Sequence, residues 1–231
     1  MKVIIQCAAS KRNDTKNFYW QGKVVNFVAN PKKAPDSSIG IFVLPDDVME
    51  EGNGTWRSLV TKLNQSGEEV DGLVPAIELY KPRIFGQLVN AFGMTDLFVL
   101  SAGWGLVRAD FRIPSYNITL SKTGSYLTRR YESDPYQDFN QLKDVNIGSD
   151  EEIIFLGGKS YLPLLHRLLS DINCRKKAFY RVAPLKKSNK LPVDLEKYST
   201  ELEFIPFRTS RCTNWHYESA ERLIEIRFGS L

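Results

Sequence analysis

Short apolar runs and stretches of helical spacing alternate along the chain. Val3-Ile4-Ile5, Leu97-Phe98-Val99-Leu100 and Ile153-Ile154-Phe155-Leu156 are unbroken by polar residues and closed by small or cationic ones. That is the pattern of strands buried on both faces. The runs 178–182 and 202–207 read as further strands. Between them apolar residues recur every three or four positions over 56–63, and again over 75–92 at Ile77, Tyr80, Ile84, Leu88, Val89 and Phe92, so both predict helices. Pro82 bends or restarts the second, because proline has no amide hydrogen and clashes with the preceding turn. An apolar helix is expected over 161–172 and a closing helix over 219–228, with Thr213 as its cap and Glu218 and Glu221 in its early turns.

Short strands separated by helices predict an α/β fold, with a mostly parallel sheet covered on both faces. Segment 13–55 interrupts the alternation. Asn30-Pro31, Ala34-Pro35-Asp36 and Gly52-Asn53-Gly54 punctuate it around one strand-like run, 39–44, so it reads as an insertion carrying a hairpin. Segment 121–150, polar and aromatic, reads as a lid or a pair of surface helices. There is no internal repeat, and 1–231 is expected to form one domain.

With 231 residues, 42% hydrophobic and 25% charged, the composition is that of an ordinary globular protein and excludes disorder, collagen and disulfide scaffolds. No stretch reaches the roughly 20 apolar residues of a membrane span, and the opening Met1-Lys2-Val3-Ile4-Ile5-Gln6 turns polar too soon for a signal peptide. A cytoplasmic protein without membrane contact is expected. Cys7, Cys174 and Cys212 are far apart and only two histidines accompany them, so neither a structural metal nor a cofactor is expected. The net charge of +4 identifies no partner, but its distribution narrows the choice. Between 172 and 193 no acid occurs, while Arg175, Lys176, Lys177, Arg181, Lys186, Lys187 and Lys190 interleave with Phe179 and Tyr180. This is either a solvated loop flanking a strand or a stripe that tracks phosphates.

Open parallel sheets bind ligands beyond the carboxyl ends of their strands. The residues expected there are Cys7, Ser10, Lys11 and Arg12; Ser101, Trp104, Arg108 and Asp110; Gly157, Gly158, Lys159 and Tyr161; and Arg208, Thr209, Ser210, Arg211, Asn214, Trp215 and His216. Cations, small residues, aromatics, a carboxylate and an imidazole make a nucleotide-like inventory. Gly157-Gly158-Lys159-Ser160 lacks the four-residue spacer of a phosphate-binding loop, and 101–106 has no G-x-S-x-G elbow. His166 reads as a helix-surface residue. His216, at a helix start, is either a cap or a neutral donor, since the helix dipole disfavours imidazolium. Asp110 either pairs with Arg108 and Arg112 or stabilises a cationic transition state. Trp104 and Tyr116 either stack a base or belong to the core.

Leu100-Ser101-Ala102-Gly103-Trp104-Gly105-Leu106-Val107, followed by Ile113-Pro114-Ser115-Tyr116, resembles the signature of the YaaA-type, peroxide-stress-related proteins and of the glycosylase-like domain of archaeosine synthase. Cys7-Ala8-Ala9-Ser10-Lys11, Leu79-Tyr80-Lys81-Pro82-Arg83-Ile84-Phe85 and Asn214-Trp215-His216-Tyr217-Glu218 are similar to another bacterial branch of that group. The resemblance implies a distant arm of the uracil-DNA glycosylase superfamily: a three-layer α/β sandwich that flips a nucleotide into a pocket, in some members excising modified bases in defence against phages. The G-Q-D-P-Y motif of that superfamily is replaced by Cys7-Ala8-Ala9-Ser10-Lys11, and its H-P-S-P loop is absent.

A glycosylase needs negative charge beneath an oxocarbenium-like sugar, donors at the departing base and cations for the strand. The catalytic candidates are Asp110 for the first role and His216 for the second. Cys7, Ser10, Trp104, Tyr116, Asn117 and Asn214 are expected around the base, and Lys11, Arg12, Lys159, Tyr161, Arg208, Arg211, Lys186, Lys187 and Lys190 along the nucleic acid. The expectation is a monomer acting on DNA, including phage DNA with modified bases. Two alternatives stay open: a DNA-binding stress protein without catalysis, and an enzyme on free nucleosides or nucleotides.

Overall fold

The computed structural model describes residues 1–35, 40–50, 52, 54–186 and 188–229. Strand β1 (Lys2–Gln6) opens the chain. The insertion follows with β2 (Tyr19–Trp20), β3 (Lys23–Val28) and β4 (Ile41–Val43). Next come α1 (Trp56–Ser66), β5 (Leu73–Pro75), α2 (Ile84–Phe92) and the hairpin of β6 (Leu97–Ser101) with β7 (Gly105–Arg108). Short strands β8 (Arg112–Pro114), β9 (Tyr116–Asn117) and β10 (Phe139–Asn140) lead to β11 (Glu152–Leu156) and α3 (Leu162–Leu169). The chain closes with β12 (Arg175–Val182), the single turn α4 (Val193–Glu196), β13 (Glu203–Arg208) and α5 (Trp215–Phe228).

The central sheet has seven strands in the order β10-β7-β6-β1-β11-β12-β13. Strands β6, β1, β11, β12 and β13 are mutually parallel, with Val3 opposite both Leu97 and Ile154, whereas β7 returns antiparallel to β6. Val3, Ile4, Ile5 and all of β6 are buried, as expected for strands with neither face in water. From β1 the chain steps to β6 on one side, and from β11 through β12 to β13 on the other. Right-handed crossovers in opposite directions put their helices on opposite faces. So α2 covers one face and α3 and α4 the other, while α5 packs on α2, β11 and β12. Among the described residues no helix is long and apolar enough to cross a membrane.

Several expectations need correction. Residues 75–92 are not one helix: 73–75 pair with β8, and α2 begins only at Ile84, two residues after Pro82. Ile77, Leu79 and Tyr80 are buried in the intervening turns, which mimics helical spacing. The insertion does carry a hairpin, but from β2 and β3, and β4 joins β3 in parallel. Part of the run 39–44, Ile39, lies outside the described residues, as does Asn53. No helix pair occurs among the described residues of 121–150. That segment is pinned instead by a buried ion pair in which Arg130 also donates to the Ala102 carbonyl at 2.9 Å and meets Asp138 at 2.6 Å. Helix α5 starts at Trp215 with Asn214, not Thr213, at its cap, in the left-handed conformation (φ 55°) that asparagine tolerates.

Candidate functional site

A cavity of about 640 Å³ opens at the carboxyl ends of β1, β11 and β12. Parallel strands end here in loops rather than hairpins, so three chain segments and the first turn of α5 meet around one space. Gln6, the last residue of β1, organises one wall. Its Oε1 accepts a hydrogen bond from the Gly158 amide at 2.7 Å, which fixes the side-chain amide and points Nε2 at His216 Nε2, 3.2 Å away. An amide nitrogen can only donate, so His216 accepts through Nε2 and carries its proton on Nδ1. Burial lowers the His216 pKa to about 4, so the ring is neutral at physiological pH. For the neutral form expected from the sequence, loss of hydration is the physical cause that the structure supplies.

Cys7, just past β1, lies beside this pair. Its Sγ is 3.0 Å from the Tyr161 hydroxyl, and both residues line the cavity. Behind them Tyr80 and Tyr116 share a hydrogen bond of 2.9 Å, and the Lys11 ammonium sits 4.1 Å from the centre of the Tyr116 ring. Burial holds the phenols of Tyr80, Tyr116 and Tyr161 well above the usual tyrosine range and pushes Tyr217 up to about 12. All four are therefore neutral hydroxyls. Burial also lowers the Lys11 pKa. The tyrosines and His216 make a neutral, polar floor, while Lys159, Arg181 and Lys122 lie on the cavity wall. Such a space suits an uncharged planar heterocycle with a hydrogen-bonding edge, attached to something anionic.

Of the residues expected at the site, Cys7, Lys159, Tyr161, Asn214 and His216 line the cavity, and Lys11 and Tyr116 stand behind it. Others are elsewhere. Asp110 is the main correction: β7 folds back along β6, so the turn that follows it lies at the opposite end of the sheet, where Ala109 bonds the Leu97 carbonyl. There Asp110 is paired with Arg108 at 2.7 Å. Trp104 is fully buried with its ring 5.2 Å from that of Phe27, a core residue and not a base platform. Asn117 and Ser10 are exposed and do not line the cavity, and Arg12 pairs with Asp14 on a separate cleft of about 540 Å³.

The expected cations are mostly engaged. Lys159 meets Asp194 at 3.2 Å and Arg211 meets Glu218 at 2.6 Å, while Arg208 donates to the Lys186 carbonyl at 2.8 Å and to Asn189 at 2.6 Å. The basic stripe is not continuous, because β12 runs across the sheet. Arg175 and Lys177 stand at its amino end, Lys177 paired with Glu152 at 2.8 Å and Lys176 buried, whereas Lys186 and Lys190 are exposed beyond the carboxyl end. Lys187 lies outside the described residues. His166 does not line the cavity and meets Glu201 at 3.1 Å.

Sequence reasoning missed Gln6, Tyr217 and Asp194. Gln6 carried a signal, a polar residue closing an otherwise apolar strand. Asp194 carried none, since its place on the wall depends on how α4 packs. Compared with known proteins, the chain matches no family model and no curated protein significantly.

Proposed function

We propose that this chain is a DNA glycosylase that excises a modified base and leaves an abasic site, acting as a cytoplasmic monomer, in defence against phage DNA. The proposal takes the resemblance to YaaA-type proteins as kinship, with the three-layer sandwich of the uracil-DNA glycosylase superfamily as the finer fold. One observation supports it above the rest: a cavity of about 640 Å³, with ample room for a base, beyond the carboxyl ends of parallel strands, with a neutral hydrogen-bonding floor and cations on its wall. In such a reaction the C1′–N bond breaks with its electron pair leaving on the base nitrogen, and water bonds C1′ and gives up a proton. Gln6, Asn214 and the Nδ1–H tautomer of His216 supply the base-side donors. Asp194, the one carboxylate among the described lining residues, takes the role at the sugar that Asp110 is too distant to perform.

A second reading, an enzyme on free nucleosides or nucleotides, is favoured by the internal pairing of Lys159, Arg211 and Arg12. Incubation with DNAs carrying different modified bases, followed by alkali, tests the proposal directly. Alkali-labile sites are expected. Binding that weakens steeply with salt but leaves no such sites would make the protein a non-catalytic DNA binder, and salt-insensitive release of bases from free nucleosides would establish the second reading.

A further inference from the structure

A smaller cavity of about 330 Å³ adjoins the main one, and Lys122 and Ser160 line both. Lys122, Arg129, Arg130 and Arg167 line it against one acid, Glu132. Internal pairing neutralises only part of this charge. The Asp138 carboxylate accepts from Arg130 at 2.7 and 2.6 Å and also from Arg167, so two guanidinium groups share one negative charge. Lys122 is exposed and, like Arg129, has no ion pair among the described residues. Arg129 lies 4.4 Å over the Tyr131 ring, and the one hydrogen bond of its guanidinium among the described residues runs to the Lys122 carbonyl at 3.3 Å. Its buried Nε has no partner there either.

We propose that this smaller cavity is a phosphate subsite, in which Lys122, Arg129 and Arg167 hold the phosphate of the nucleotide whose base occupies the main cavity. Three features converge on an anion. Positive charge exceeds negative charge on the lining. Stacking pre-sets the Arg129 fork, whose donors are largely uncommitted, and a planar fork of this kind matches phosphate oxygens. The shared wall at Lys122 and Ser160 places the anion beside the base cavity, as the covalent geometry of a nucleotide requires. Among the cations expected from the sequence, Lys159, Arg208 and Arg211 serve this role less well than Lys122 and Arg129, being held by carboxylates or carbonyls of the chain itself. In naming a nucleotide the inference rests on the proposed function, but the anion site stands on its own geometry. The phosphate comes either from a DNA strand or from a free nucleotide.

The test uses the full chain with 15N-labelled arginine side chains and inorganic pyrophosphate as probe. Saturable shifts of the Arg129 and Arg167 Nε–H signals are expected, with binding weakened about tenfold in Arg129→Gln and in the exposed Lys122→Gln. Shifts that do not saturate, or that persist unchanged in both variants, overturn the subsite. A second arm identifies the source. With a mixed-sequence single-stranded 11-mer, Arg129→Gln should reduce the slope of log affinity against log salt by about 0.7. An unchanged slope alongside saturable pyrophosphate binding assigns the phosphate to a free nucleotide. Pyrophosphate binding without base release from any DNA keeps the subsite and removes the glycosylase reading.

Discussion

His216 shows how one contact fixes both a tautomer and a pH response. Because the Gln6 amide donates to Nε2, protonating that nitrogen would set two donors against each other, and burial already opposes the charge. The pKa falls from 6.5 in the unfolded chain to about 4 in the folded one, so between these values the unfolded state binds the extra proton. Stability is therefore complete above pH 6.5, declines as pH falls, and stops declining on this account near pH 4. The integrated loss is roughly 3 kcal/mol. Urea denaturation of the native protein and His216→Asn at pH 7 and pH 4.5 checks this, and the variant should lose most of the difference. If His216 also serves the leaving base, His216→Ala slows excision most for bases that are poor leaving groups. A uniform loss across a substituent series would mark a structural role. This residue was legible in the sequence because a histidine between an apolar strand and a helix is unusual. Its partner was not, since Gln6 is distant by 210 positions along the chain and the two meet through the β1–β11 pairing and the packing of α5 on β11.

The most distinctive stretch of the sequence, 101–116, builds structure more than it supplies chemistry. Ser101 Oγ accepts from the amides of Gly103 and Trp104 at 3.3 and 3.0 Å and closes the turn between β6 and β7. Trp104 then enters the core, capped by Arg57, which donates to the Trp104 carbonyl at 2.9 Å and pairs with Asp46 at 2.6 Å. Gly105 has φ 82°, and a Cβ there would lie 2.3 Å from the Phe139 carbonyl oxygen on β10. Gly105→Ala should therefore cost more than the strain of the left-handed backbone alone, which is about 1–2 kcal/mol. Gly67 supplies the comparison: it is left-handed at φ 73° with nothing within 4 Å of its Cβ, so Gly67→Ala should show the strain without the clash. Equal losses of stability in the two variants, read by urea denaturation, would refute the close approach of β7 to β10. The hairpin also explains why Asp110 was misplaced. Apolar pattern identifies β6 as a strand but cannot say that the next strand reverses, and that reversal sends Asp110 to the far end of the sheet. Strand β3 escaped for a related reason: Asn26 interrupts its apolar residues, and its pairing with β4 and β9 is made by distant segments.

Parallel strands give the molecule two unlike ends, and its charges have to be judged by end rather than by sequence neighbourhood. Residues 172–193 form one basic block in the sequence, yet β12 carries that block across the sheet and divides it. At the amino end Lys177 is matched by Glu152, Lys176 is buried, and Arg175 remains exposed, far from both cavities. At the carboxyl end Arg208 ties the loop after β12 through the Lys186 carbonyl and Asn189, leaving the side chains of Lys186 and Lys190 exposed on the side where the main cavity opens. An anionic strand whose base enters that cavity passes the second group and not the first. Charge reversal separates them: Lys186→Glu with Lys190→Glu should weaken binding of a single-stranded oligonucleotide and reduce the salt slope by roughly 0.7 for each phosphate that is no longer neutralised. Arg175→Glu, of the same sign but at the opposite end, should leave both the affinity at 150 mM salt and the slope near native values, because at about 8 Å the Debye length is short compared with the length of the sheet. Equal weakening by the two reversals would show that oligonucleotides respond only to overall charge, and the carboxyl-end face would lose its claim to be the binding surface.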